Sequence, residues 1–306
     1  MHTLPKVSPP PTLSKSATPH IPKHPAPRND PNTTASFIWP PLLSRTTITA
    51  IVTTFRATES PLPSILPWRD LHRQEMNCQI TKDSIHFRDG WTREFLLFDG
   101  PTTVGYGSLA VAGPWKDKPT IYEFHVAPPA RNRVFDLFEA LLAATGAVAI
   151  EIQSNDPLLS TMLHTYAPGA ISESILFHDR ITSHHPAPQG ATFRPATLED
   201  VAPIAEQKLD SGATWLLESD HQIVATGGIL FHYNRPYGDI YMSVAEPFRR
   251  RGLGSFLVQE LKRTCYENGH VPAARCNPTN LPSRNTLQAA GFVPCGHILV
   301  GRIAPR

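Results

Sequence analysis

Apolar positions along this chain follow helical spacing in some segments and strand alternation in others, and the two patterns succeed one another in the same order twice. In the first pass WRDLHRQEMNCQI (68–80) has helical spacing. TREFLLFDG (92–100) and TTVGYGSLAVAG (102–113) read as two strands across a turn at Asp99 and Gly100, and TIYEFHV (120–126) is a third. FDLFEALLAATG (135–146) is an amphipathic helix closed by a glycine, AVAIEIQ (147–153) a buried strand, and LLSTMLHTYA (158–167) a helix.

The second pass starts after the connector SHHPAPQG (183–190). ATFRPA is a strand, and TLEDVAPIAEQKL (197–209) a helix whose Thr197 and Asp200 form a capping-box variant. TWLLESD and QIVATGGILFHY form a hairpin, YGDIYMSV (237–244) is a strand, and LGSFLVQELKRTCYENG (253–269) a long helix. VPAARC is again a strand, and NLPSRNTLQAAG (280–291) a helix ended by Gly291. Residues repeat as well as elements: VAPPARNRVFDLF (126–138) lies over VAEPFRRRGLGSF (244–256) without a gap, and VGYGSLA falls on VATGGIL after a shift of similar size. A period this long is that of a domain, so the sequence predicts two copies of one fold in tandem.

Residues 1–65 interrupt this texture with Pro, Ser and Thr clusters and only two acidic residues, Asp30 and Glu59. They bury too little to offset their ordering entropy and are expected to be a disordered tail. The expected division is therefore that tail, a first domain over 66–182, a linker over 183–190 and a second domain over 191–306.

Charge and cysteine content remove several function classes. A formal charge of +2 provides no field for gripping nucleic acid, and no apolar run is long enough to span a membrane. The four cysteines lack CxxC spacing, so neither a disulfide framework nor a metal site is expected, and a reducing cytoplasm fits best.

The segment that carries chemistry is VAEPFRRRGLGS (244–255): a strand, a tight loop and the start of a long helix. Arg249, Gly252 and Gly254 make R-x-x-G-x-G. Glycines there let the backbone approach a ligand, and the free amides of a helix N-terminus suit a diphosphate. Arg250 and Arg251 add positive charge. A glycine turn beside solvated arginines would explain the charges, but not two glycines opening a helix, where each costs about 1 kcal/mol relative to Ala in the interior.

This segment resembles the acetyl-CoA loop, Q/R-x-x-G-x-G/A, of the GCN5-related N-acetyltransferase (GNAT) superfamily. CNPTNLPSRNTLQAAGF (276–292) is similar to the family's N-x-x-S segment and closing G-F, through Asn280, Ser283, Gly291 and Phe292. The resemblance implies an α/β fold of two tandem GNAT-like domains, each a mixed, mostly antiparallel twisted sheet flanked by helices. It implies an acetyl-CoA-dependent N-acetyltransferase in which an amine, more readily of a small molecule than of a protein, attacks the thioester directly. Amides from Arg250 to Ser255, including Leu253, would hold the diphosphate with Arg249; Met242 and Val244 would offer backbone partners to pantetheine, and Asn280 and Ser283 would lie near the thioester.

Asp239 and Tyr241 share a strand face, and Asp239 is the better proton acceptor; it could instead serve the Asn234–Gly238 loop. Leu287 stands where the family often carries a tyrosine acid, which leaves a non-catalytic acyl-CoA sensor or scaffold as the alternative. In the first copy Val134 and Asp136 replace Gly252 and Gly254, and bulk with negative charge at a helix N-terminus opposes a diphosphate. That copy is expected to have lost the cofactor and to wall the acceptor pocket, the alternative being that it contributes only stability or a dimer surface. Neither the amine nor a monomer-or-homodimer state is legible.

Overall fold

The computed structural model describes residues 54–305. The first described element is FRATES, whose alternation forms β1 (Phe55–Ser60), paired antiparallel with β2 (Thr92–Asp99). Between them lies α1 (Leu62–Glu75), entered through Pro61 and Pro63, residues suited to a first helical turn. This corrects the expected tail at its end, since residues 55–65 are structured; the rest of that expectation, 1–53, lies outside the described residues. It also corrects the expected helix over 68–80, which begins earlier and stops at Glu75. The following MNCQI segment becomes an extended strap.

The first half continues with β3 (Thr102–Ala110), β4 (Thr120–Val126), α2 (Val134–Thr145), β5 (Ala149–Gln153), α3 (Pro157–Tyr166) and β6 (Ile171–Asp179). The second runs through β7 (Ala191–Pro195), α4 (Val201–Glu206), β8 (Trp215–Ser219), β9 (Gln222–Leu230), β10 (Tyr237–Val244), α5 (Leu253–Glu267), β11 (Val271–Cys276), α6 (Leu281–Ala289) and β12 (Phe292–Arg302). The Thr197–Asp200 capping box forms, but the helix it starts is a 3-10 turn followed by only six α-helical residues.

The twelve strands among the described residues form one sheet, ordered β1-β2-β3-β4-β5-β12-β6-β11-β10-β9-β8-β7. Only β4–β5 and β10–β11 are parallel. The last strand of each half has crossed to the other: β12 pairs with β5 at Ile298–Arg302, and β6 pairs with β11 at Ile175–His178. β6 and β12 also pair with each other. The 183–190 connector therefore joins two halves of a continuous sheet. It docks on α5, where the Gln259 side chain both accepts from the His185 N–H at 2.6 Å and donates to its carbonyl at 3.1 Å.

Each half has its own core on the helix-bearing face. Phe256, Leu257, Leu261 and Cys265 of α5 pack on Ile240, Ala274, Leu287 and Phe292, and Leu137, Phe138 and Leu141 of α2 pack on Phe124, Val126 and Ile150. The spacing of these residues along each helix is the apolar stripe read from the sequence. Among the described residues no helix is long and apolar enough to cross a membrane.

Candidate active site

β10 and β11 pair only as far as Ile240 and Ala274. Beyond that point β10 stays with β9 through Val244, while β11 stays with β6 through Cys276. The strands diverge, and the backbone of Tyr241–Val244 that faces β11 has no strand partner. Since the Ala245 N–H turns to Val224 on β9, the Val244 carbonyl points into the opening, and by strand alternation so does that of Met242. The Val244 carbonyl accepts from Arg249 Nε, and the rest of this backbone edge requires partners.

The loop that follows is built to aim more of them. After a 3-10 turn over Glu246–Phe248, Arg250 and Gly252 both adopt left-handed backbone, at φ of 63° and 79°. Alternation of handedness turns successive amides to one side, which makes an anion-binding nest. The first bond of α5 runs from the Phe256 N–H to the Gly252 carbonyl, so the amides of Leu253, Gly254 and Ser255 lie ahead of the helical ladder. No side chain caps this end and its first turn holds no acid. A cleft of about 840 Å³ opens in front of it, between α5, α6 and the end of β10.

The two glycines serve different ends. A Cβ on Gly252 would meet open space, so that position needs glycine for its dihedral. A Cβ on Gly254 would stand 3.2 Å from Thr286 Cγ2 and 3.4 Å from Val244 Cγ2, narrowing the cleft itself. The three arginines also divide. Arg249 and Arg250 line the cleft, whereas the Arg251 side chain turns back to the Pro247 carbonyl at 3.1 Å and lies over Phe248, which corrects the expected contribution of its charge but not that of its amide.

The opposite wall is the start of α6. Asn280 caps it, its Oδ1 accepting from the Ser283 N–H at 3.1 Å, and Asn280, Ser283 and Thr286 all line the cleft with Met242 and Val244. Cys276 is nearly buried beside Ser283; burial raises its thiol, and the Ser283 hydroxyl opposes that rise. Leu287 is 3% exposed and belongs to the core, so this position carries no acid or base.

On the sheet face away from α5, the expected base is sealed. Asp239 is 3% exposed, accepts from Arg275 Nε at 3.1 Å and from Gln79 Nε2 at 3.2 Å, and does not line the cleft. Burial raises its carboxyl, against the pull of the Arg275 guanidinium. Nor does it serve the Asn234–Gly238 loop: Asn234 is held by the strap, accepting from the Ile80 N–H and donating to the Cys78 carbonyl at 3.3 Å. Tyr241 crosses Gly228, where a Cβ would come within 2.6 Å of its oxygen, and donates to the Gly212 carbonyl at 3.2 Å. Burial raises its phenol, so Tyr241 stays protonated at neutral pH.

Sequence reading missed Gln79, Tyr233 and Arg275. The only local signal was for Arg275: alternation along VPAARC sets it opposite the buried Ala274 and Cys276. Gln79 comes from the other half of the chain and had none.

The first half repeats the frame but not the cleft. β4 and β5 pair only at Thr120 and Ile121 before parting. Arg131 Nε donates to the Val126 carbonyl at 2.9 Å, as Arg249 Nε does to Val244 at 3.0 Å, and Asp156 caps α3 as Asn280 caps α6. Yet Phe124 and Val126 are wholly buried under α2, where Met242 and Val244 are only half-buried. The 128–133 turn runs straight into α2 with no left-handed residue, and Asp136 occupies the first helical turn.

The other face of β4 carries a buried polar network in place of an opening. Glu123 accepts from Arg69 Nε at 2.9 Å and from the Tyr106 hydroxyl at 2.8 Å. His86 bridges Glu94 and Glu123 at 2.8 and 2.9 Å.

Residues 179–292, which contain the nest and both walls of the cleft, match the model of the acetyltransferase (GNAT) family. This segment is a GNAT domain. No curated protein matches the sequence. Among solved structures, an acetyltransferase of the GNAT family from Colwellia psychrerythraea superposes with a TM-score of 0.64 at 11% identity, covering 82% of this chain and 100% of its own. A tandem GNAT protein from the clavulanic acid biosynthesis pathway gives 0.56 at 14% identity, covering 83% and 99%. A GCN5-related N-acetyltransferase from Sphaerobacter thermophilus gives 0.51 at 14% identity, covering 82% and 96%. At these identities the likeness is one of fold, and its coverage takes in both halves.

Proposed function

We propose that this protein is an acetyl-CoA-dependent N-acetyltransferase whose single cofactor site lies in the second half. The observation that carries this is the left-handed pair Arg250 and Gly252, which aims the amides at the start of α5 into a cleft ending where β10 and β11 part. Amides from Arg250 to Ser255 bind the diphosphate, Arg249 and Arg250 add charge, and Met242 and Val244 supply backbone partners to pantetheine. The amine approaches from the Tyr241 face and attacks the thioester carbonyl. The oxyanion is stabilised by backbone N–H of β10, and collapse of the adduct releases the thiolate of coenzyme A.

We assign the proton of the attacking amine to water, since Asp239 is sealed and no carboxylate among the described residues lines the cofactor cleft. Ser283, which lines the cleft, donates to the leaving sulfur, whose low basicity makes little demand on a donor. Asp239 acts indirectly, as a positioning residue that fixes Arg275. The strap of the first half, through the buried Gln79 and Ile80, supports Asp239 and Asn234 from behind, which gives the half without a cleft a part in holding the acceptor side.

The sealed Asp239 favours one alternative, a protein that binds acyl-CoA without turnover. Calorimetry with coenzyme A, followed by thiol release from acetyl-CoA over an amine panel, separates the readings. Binding with turnover supports the enzyme; binding without turnover of any amine supports the sensor; no binding defeats both.

A further inference from the structure

Arg275 sits at the apex of the opening, one residue beyond the last β10–β11 pair, and points to the face opposite Ala274 and Cys276. That is the acceptor side, across the gap from Tyr241. The guanidinium is held rigidly: Nε donates to Asp239 Oδ2 at 3.1 Å, Nη2 to the Tyr233 hydroxyl at 2.5 Å, and the plane lies 5.5 Å from the Tyr233 ring centre. An arginine present only to neutralise Asp239 would spend two parallel donors on that carboxylate. Here Asp239 takes one, and Nη1 has no hydrogen-bond partner among the described residues. The terminal edge, Nη1 with the second proton of Nη2, is therefore available, and the side chain is 32% exposed.

Burial lowers the His232 imidazole, and the guanidinium groups of Arg88 and Arg275 lower it further, while Asp239 offsets the Arg275 charge and Asp210 adds to the effect of burial in raising the Tyr241 phenol across the gap. A protonated amine has no acceptor to offer the open donor edge of Arg275. A planar carboxylate matches the open edge of Arg275 in shape and sign.

We propose that Arg275 binds the carboxylate of the acceptor, and that the acceptor is an amino acid rather than a simple amine. This rests on the acyl-transfer reading for the identity of the site, and it is tested by binding as well as by turnover.

The full-length protein is offered phenylalanine with phenethylamine, tyrosine with tyramine and leucine with isopentylamine, in thiol-release assays with acetyl-CoA and in calorimetry with coenzyme A bound. At least one amino acid should exceed its decarboxylated partner by about tenfold in kcat/KM or affinity, the scale of one charge-assisted contact. R275K keeps a cation opposite Asp239 but loses the planar edge, and it should cut that preference several-fold. The double variant D239N/R275M removes the pair together and should bring the ratio to about one. Equal use of both members in every pair, or a preference unchanged in the two variants, overturns the inference. If coenzyme A binds but nothing turns over, acyl transfer is what fails, and lack of amino-acid binding in the same calorimetry overturns the carboxylate site separately.

Discussion

Arg249 holds its own loop by the strand it has just left: its Nε donates to the Val244 carbonyl at 3.0 Å, five residues back. The same bond joins Arg131 to Val126 in the first half, where no left-handed residue follows it. The arginine thus shapes the turn in both halves, and only the second half adds the backbone conformation that aims amides outward.

R249A should weaken coenzyme A binding about tenfold, because both the loop bond and a charge beside the diphosphate are lost. R131A also removes an ion pair with Glu75 and should lower Tm while leaving coenzyme A affinity unchanged. Calorimetry and thermal melts on both variants check this, and an equal loss of affinity in the two would place the cofactor elsewhere.

Gly252→Asp should abolish detectable coenzyme A binding. A non-glycine residue at a φ of 79° is strained by roughly 1–2 kcal/mol, and the carboxylate would face the diphosphate. The exposed position makes a large stability loss unexpected. Affinity within a factor of about two of the parent would count decisively against the nest as the site.

The strand exchange predicts that residues 186–306 cannot fold alone as a monomer. Without β5 and β6, both edges of β12 and the outer edge of β11 lose their partners. Size-exclusion chromatography with light scattering should show aggregates or a dimer of the fragment. A well-folded monomer would contradict the exchange.

The network around Glu123 gives stability a pH optimum. Burial alone would raise Glu123, but Arg69 and His86 hold it well below the usual carboxylate range, so its contribution is present above about pH 4.5 and lost on acidification. Burial alone would lower His86, yet Glu123 and Glu94 raise it; its contribution is complete below about pH 6.5 and lost as pH rises through the folded value. Tm should peak between those limits and fall on both sides, and H86Q should reduce the alkaline fall, the remainder belonging to His72, which Asp156 raises against burial. A flat alkaline limb in the parent would disprove the assignment.

Among the four cysteines, Cys295 should alkylate first. It is half-buried, and its hydrogen bond with Cys78 lowers it, whereas Cys78, Cys265 and Cys276 are buried and raised, Cys78 chiefly by that same contact and the other two by burial. Peptide mapping after brief iodoacetamide treatment checks the order, and C78A should slow Cys295.

What the sequence determined is local. The R-x-x-G-x-G turn, the caps at Thr197 and Asn280 and the apolar stripes of α2 and α5 depend on dihedrals and spacing within a few consecutive residues, so they could be read from Gly252 or Phe256 alone. Tertiary structure decided the neighbours. β6 and β12 each suit either half by pattern, and only packing selects the exchange that joins the sheet. The same long-range choice brought Gln79 across from the first half to seal Asp239 with Arg275, turning an apparent base into a support. Pairing between residues more than a hundred positions apart leaves no periodic trace in the chain, because the contacts that reward it form only when both halves are in place.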